Sequence, residues 1–177
     1  MCAPRVRHFI VPTRRAGRVV ARPLNCNVRR QMNGITLVRA EHSGRTFCAV
    51  EIDGKSLREY FVGGRGVHPS QISPLGWSSA DVPTSRRIVE EFLLRTVGEL
   101  KSGRTPALVC EECGDVACGA FAVRISRDGS VVTWSDWAWE NGDGMPRPVD
   151  DWAEQPPIFE FTWKDYEKAF SNVLPGV

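Results

Sequence analysis

With 177 residues, 42% of them hydrophobic and 25% charged, the chain can build one domain with a full core, and its composition excludes a fibrous or low-complexity protein. No apolar run approaches the ~20 residues of a bilayer-crossing helix, so the sequence predicts a soluble, cytoplasmic protein with no membrane partner. The net charge of +2 hides an asymmetry: residues 1–30 carry eight arginines and no acid, which leaves fifteen basic residues against all 21 acidic ones, a net of −6, in 31–177.

The expected division is therefore a basic arm, 1–31, followed by a single α+β domain, 32–177. The arm holds Pro4, Pro12 and Pro23, has no helical apolar period and has no opposite charge to pair with. Such a segment does not bury enough surface to offset its ordering entropy, so disorder is expected. Four readings compete for it: nonspecific phosphate contacts with nucleic acid, an organelle transit peptide, docking on the acidic body, or a start placed too early, with Met32 opening the patterned sequence. Only this arm suits nucleic acid. A secretory signal is not expected, because FIV is the longest apolar patch near the start.

Within the domain, residues 35–40 and 46–52 read as two strands joined by a turn, and Asp53-Gly54 leads into the short amphipathic piece KSLREYF. Residues 63–83, rich in proline and glycine, read as a long loop. A helix is predicted from Thr84 to Val97. Ile88, Val89, Phe92, Leu93 and Thr96 share its apolar face, and Arg86–Glu90, Arg87–Glu91 and Glu91–Arg95 pair on a solvated one. Asp81 or Thr84 is the expected cap.

Residues 105–110 form a strand that ends on Cys110. A hairpin follows, GAFAVRIS and VVTWSDWAWE, around an Asp128-Gly129 turn. That turn sets Ile125 against Val132, Val123 against Trp134 and Phe121 against Asp136 on the core face. The other face then sets Ala122 beside Ser135, Ala120 beside Trp137, and Cys118 beside Trp139. Residues 141–157 are loop, IFEF is a short strand, and Thr162 caps a last helix with Asp165 completing a capping box. Trp163, Tyr166 and Phe170 face inward. The fold class is α+β, an antiparallel sheet of about five strands with one or two packed helices.

The chemistry concentrates in CEECGDVACGA, residues 110–120, where Cys110, Cys113 and Cys118 fall within nine residues. A Cys-x-x-Cys-Gly turn is half of a zinc ribbon: it aims two sulfurs at one spot, and the glycine allows the tight backbone. The second half is absent. Cys118 offers a third sulfur, and Asp115, His42, His68 or Cys48 a fourth ligand. A redox dithiol is less suited, because no helix follows and Glu111, Glu112 and Asp115 raise a thiolate's pKa. The remaining alternative is that the cysteines are small hydrophobes in a turn. Cys2 and Cys26 lie in the arm, Cys48 fits an inward strand position, and disulfides are not expected.

Other candidates are weaker. The hairpin register puts Asp136 on the apolar face, where burial raises a carboxylate's pKa and suits it to general acid work, although a structural or capping role fits its place near the strand end. Glu140 shares its side about 13 Å away along the strand, beyond the roughly 5–9.5 Å of a glycosidase pair. Trp134, Trp137 and Trp139 offer a stacking platform, but their acidic flanks favour core packing. Gly54-Lys55-Ser56 lacks the P-loop's first glycine, Ala49 standing in its place, and Gly63-Gly64-Arg65-Gly66 lacks a strand-to-helix setting. No catalytic residues are assigned.

The run LVCEECGDVACGAFAVRI, then VVTWSDWAWE, then FEFTWKDYEKAF, resembles a family of uncharacterised bacterial proteins, mainly actinobacterial, with a C-x-E-C-G-D-x-x-C-G-A motif. The resemblance spans about residues 46–170. It implies no activity and favours a start near Met32. The expected function is a non-enzymatic acidic protein-interaction module with a basic protein partner, such as a toxin it neutralises, and no cofactor. The alternative is a zinc-binding or thiol-dependent protein that uses Cys110, Cys113 and Cys118.

Overall fold

The computed structural model describes residues 31–61, 71–76, 82–141, 147–148, 156–171 and 173. The basic arm as far as residue 30, most of the expected loops at 63–83 and 141–157, and with them Cys2, Cys26, His68 and the Gly63–Gly66 stretch, lie outside the described residues. The α+β class holds, with a correction: the strands form two antiparallel sheets, not one of about five strands.

The first sheet has the order β1 (Ile35–His42), β2 (Arg45–Ile52), β3 (Lys55–Ser56). Both of its turns, Ser43-Gly44 and Asp53-Gly54, have positive φ at the two central residues, the geometry that matches strand twist in a two-residue hairpin. After two residues β3 passes into α1 (Leu57–Phe61), which turns Leu57 and Phe61 into the core, so this sheet grows no further.

The second sheet runs β4 (Thr105–Val109), β5 (Ala120–Asp128), β6 (Val131–Glu140), with the short strands β7 (Arg147–Pro148) and β8 (Phe159–Thr162) sharing the far edge of β6. Two stitches hold the sheets together. Ile72 exchanges both backbone hydrogen bonds with Val109 (3.0 and 2.8 Å), while Leu75 O accepts from Cys48 N at 2.8 Å. Asn33 N donates to Glu160 O (2.7 Å), and the Asn33 side chain accepts from Glu160 N (2.9 Å) and donates to Asp53 (2.7 Å).

The β5–β6 register departs from expectation twice. Gly129 and Ser130, not Asp128 and Gly129, are the loop residues, so Ile125 faces Trp134. Gly129 takes the positive φ of 56°, and the Arg127 side chain donates to its carbonyl at 2.9 Å. A turn displaced by one residue moves each partner by two, which keeps every side chain on its expected face. The second departure does change faces. Between Ala122 and Arg124 the register shifts again, Asp136 takes φ 52°, and beyond it Phe121 faces Trp139 and Ala120 faces Glu140. This extra residue is a β-bulge on β6. It carries Asp136 outward and brings Trp137, expected on the opposite face, into the core, stacked on Phe121 at 5.3 Å.

Helix α2 (Val82–Phe92) ends earlier than its apolar spacing suggests. Leu94 occupies the left-handed position (φ 56°), with Leu94 N donating to Glu91 O (3.0 Å) and Arg95 N to Glu90 O (2.9 Å). This is a Schellman ending with leucine where glycine is usual. Asp81 and the side chain of Thr84, the expected caps, lie outside the described residues. Glu91 does not belong to a solvated face: it is 2% exposed, with Gly98 folded against its carboxylate. Burial pushes its carboxyl pKa up, and the Arg87 guanidinium 3.8 Å away pulls it down.

Helix α3 (Trp163–Ser171) starts as its sequence requires. Asp165 N donates to Thr162 Oγ1 (3.2 Å), which donates to Asp165 Oδ2 (2.7 Å). Tyr166 and Phe170 are fully buried, whereas Trp163, expected inward, is half-buried and carries the Arg127 guanidinium 3.8 Å above its ring. Trp134 lies at the centre of the shared core, among Phe92, Phe161, Tyr166 and Phe170. Its indole N–H donates to the Tyr166 hydroxyl (3.1 Å), which donates in turn to the Phe92 carbonyl at the end of α2 (2.9 Å).

Tyr166→Phe would leave that indole N–H and that carbonyl without partners where water does not reach. The expected cost is about 1–3 kcal/mol, read as a lower urea midpoint at unchanged slope. An unchanged midpoint would show that this relay adds nothing to stability.

Candidate metal centre

Strand β4 is buried along its whole length and releases the chain at Cys110, which is half-buried. The chain then reverses twice within nine residues. Gly114 N donates back to Cys110 O (2.9 Å), and Gly114 itself takes φ 66°. Asp115 next caps a 3₁₀ turn, Val116–Cys118, by accepting from Ala117 N at 2.8 Å. That turn carries Cys118 back over Cys113, and Gly119 (φ 110°) passes the chain into β5.

The result brings together all three cysteines singled out in the sequence. Their sulfurs lie within 4.8 Å of one another, and the three can hold a metal ion. Cys113 Sγ and Cys118 Sγ are 3.2 Å apart. Backbone N–H groups are aimed at the sulfurs. Those of Cys113 and Glu112 point at Cys110 and hold its pKa below the ordinary thiol value. Asp115 N donates to Cys113 Sγ at 3.4 Å and lowers it too, but the Cys118 thiol, burial and the Cys110 sulfur together push Cys113 up to about 11. The backbone favours negative charge on Cys110 and Cys113, and at Cys113 the neighbouring sulfurs oppose it. A bound dication removes that opposition.

No fourth donor joins the group among the described residues. Asp115 is engaged as the cap of the 3₁₀ turn. His42, at the end of β1, contacts the carboxylate of Glu111. Cys48 lines a cavity of about 560 Å³ beside β1 and α3, with burial raising its thiol pKa. His68 lies outside the described residues. Arg45, not foreseen from the sequence, donates to the carbonyls of Glu111 and Glu112. Together Arg45 and His42 fasten the end of the β1–β2 hairpin to the cysteine loop.

Asp136 and Glu140, not expected to act as a pair, are arranged differently from the hairpin prediction. Asp136 stands on the bulge, about half exposed, and not on the apolar face. Arg104 Nη2 meets its carboxylate at 2.8 Å, Arg104 Nε takes its carbonyl at 2.7 Å, and Arg124 Nε adds 3.0 Å. Hydrogen bonds from Arg104, then Arg124, hold the Asp136 carboxyl below its usual range, opposite to the shift a general acid needs. Glu140 is fully buried and bound to Arg104 Nη1 (3.0 Å) and Ser102 Oγ (2.6 Å). The signal that points to Arg104 is a carboxylate on a core strand, which requires a cation.

Asn accepts a positive φ as readily as Asp, so Asp136→Asn isolates the charge. A depressed carboxyl pKa stabilises the fold above the unfolded aspartate value and loses that contribution as pH falls through the folded one. The variant should therefore melt below the parent at neutral pH, with the gap closing through the acidic range. A gap that does not vary with pH would deny the ion pairs any role. At Gly119 an added Cβ would stand 2.0 Å from Trp139 Cζ2 on a left-handed backbone. Gly119→Ala should cost about 1–3 kcal/mol by overpacking, measured by denaturant unfolding, and a wild-type midpoint would show that Trp139 moves aside freely.

Set against known protein families, curated proteins and solved structures, the chain matches none of them.

Proposed function

We propose that this chain is a zinc-binding protein in which Cys110, Cys113 and Cys118 hold one metal ion. The observation that carries the reading is the convergence of three sulfurs within 4.8 Å on a loop whose backbone N–H groups already face two of them, those of Cys110 and Cys113. Three sulfur ligands suit a soft or borderline dication. Zinc completes a tetrahedron, so the fourth position falls to water, a partner's side chain or a small ligand. The metal would tie the end of β4 to the start of β5, and Arg45 and His42 would connect that tie to the first sheet.

The acidic-module reading has only the net charge in its favour. Several of the carboxylates are already engaged: Glu90 and Glu167 with Arg95, Glu99 with Arg87, and Asp136 and Glu140 with Arg104. The metal reading has the more specific support.

Full-length protein purified without chelator should contain one zinc per chain. The three cluster thiols should resist a thiol reagent until a chelator is added. Zinc at about a thousand times its dissociation constant should then stabilise the fold by ~4 kcal/mol over the stripped form. Cys110→Ser, Cys113→Ser should lose both metal and stabilisation. Absence of metal, with a melting temperature indifferent to zinc and chelator, would overturn the reading.

A further inference from the structure

We propose that the cluster is also an oxidant-sensitive device, in which Cys113 and Cys118, and not the Cys-x-x-Cys pair, form the disulfide. Sequence spacing draws attention to Cys110 and Cys113. The geometry selects differently: Cys113 Sγ and Cys118 Sγ are 3.2 Å apart, about 1 Å from bonding distance. Both of these residues are exposed, whereas Cys110 is half-buried at the end of β4. The pair is brought together by Gly114 and the capped 3₁₀ turn, local features that lie between β4 and β5 and outside both sheets.

With a hydroperoxide as oxidant the step balances. One sulfur attacks the O–O bond and becomes a sulfenic acid as the alcohol leaves, or water when the oxidant is hydrogen peroxide. The second sulfur displaces the sulfenic oxygen as water and closes the S–S bond. The two sulfurs lose two electrons, the O–O bond takes them, and the two thiol protons end in the released alcohol and water. A disulfide sulfur is no longer a thiolate ligand, so a metal held by all three cysteines would keep Cys110 alone and be released. That release rests on the zinc reading. The choice of cysteine pair does not.

The test treats full-length protein with hydrogen peroxide while zinc release is followed with a colorimetric chelator, then maps the cysteines. All three cluster cysteines fall in one tryptic peptide, 105–124, but cleavage after Glu111 and Glu112 separates Cys110 from Cys113 and Cys118. Cleavage before Asp115 then leaves the last two joined only through sulfur. The expected result is loss of two cluster thiols, a 113–124 peptide that stays linked after the Asp115 cut, Cys110 recovered free, and zinc released in step. Cys110→Ser should keep the link, and Cys118→Ser should lose it. A disulfide that includes Cys110, oxidation beyond sulfenic acid without a link, or no reaction would overturn the proposal, even with zinc bound. A linked 113–124 peptide from a protein that never held zinc would sustain the pairing and sink the metal reading instead.

Discussion

Arg104 holds the Asp136 bulge by Nε on its carbonyl and Nη2 on its carboxylate, and Nη1 reaches on to the buried Glu140. The phase of β6 depends on this clamp. Before the bulge, Val132 and Trp134 face the core; after it, Trp137 does, because one inserted residue exchanges the two faces of a strand. Without the insertion Trp137 would point away from Phe61 and Phe121, the rings it now meets at 4.7 and 5.3 Å. Removing Arg104 would also leave Glu140 as an unpaired buried charge, a more costly defect than losing the pair as a whole.

The same insertion reaches the cysteine loop. By facing Phe121 after the shift, Trp139 comes to lie over Gly119, so close that no side chain fits there. Gly119 follows Cys118 directly, and the ring thereby fixes where the 3₁₀ turn ends. At the other side of the loop β4 delivers Cys110 from a strand with no exposed residue. The middle is held by Arg45 on two carbonyls and by His42 against Glu111. A loop without extended pairing is thus held at both ends and in the middle.

The local signals were legible in the sequence and the nonlocal ones were not. Both turns of the first sheet, the Thr162–Asp165 capping box and the convergence of the cysteines follow from residues within a few positions of one another. The bulge escaped because its left-handed position holds an aspartate kept there by Arg104 and Arg124, 32 and 12 residues earlier. The end of α2 escaped because Leu94 occupies a position that normally announces itself with glycine. Glu91 reads as a surface charge by spacing, yet the return of the chain through Gly98 covers it. The joining of the two sheets depends on Asn33 and on the segment around Ile72, whose hydrogen bonds reach partners 127 and 37 residues away. No pattern within a window reports such a distance.

The cysteine loop presents an electrostatic problem with two chemical solutions. Backbone N–H groups favour charge on Cys110 and Cys113, while the neighbouring sulfurs oppose it at Cys113, and the pKa values of the two are driven in opposite directions. A dication resolves the conflict by compensating all three sulfurs at once. Oxidation resolves it by removing two of them from titration and from ligation. The two solutions exclude each other because they draw on the same pair of sulfurs. Cys110 differs from that pair in its burial and in its strand anchor. It would remain in place under either state, which makes it the fixed point around which a metal-bound and an oxidised loop would interconvert.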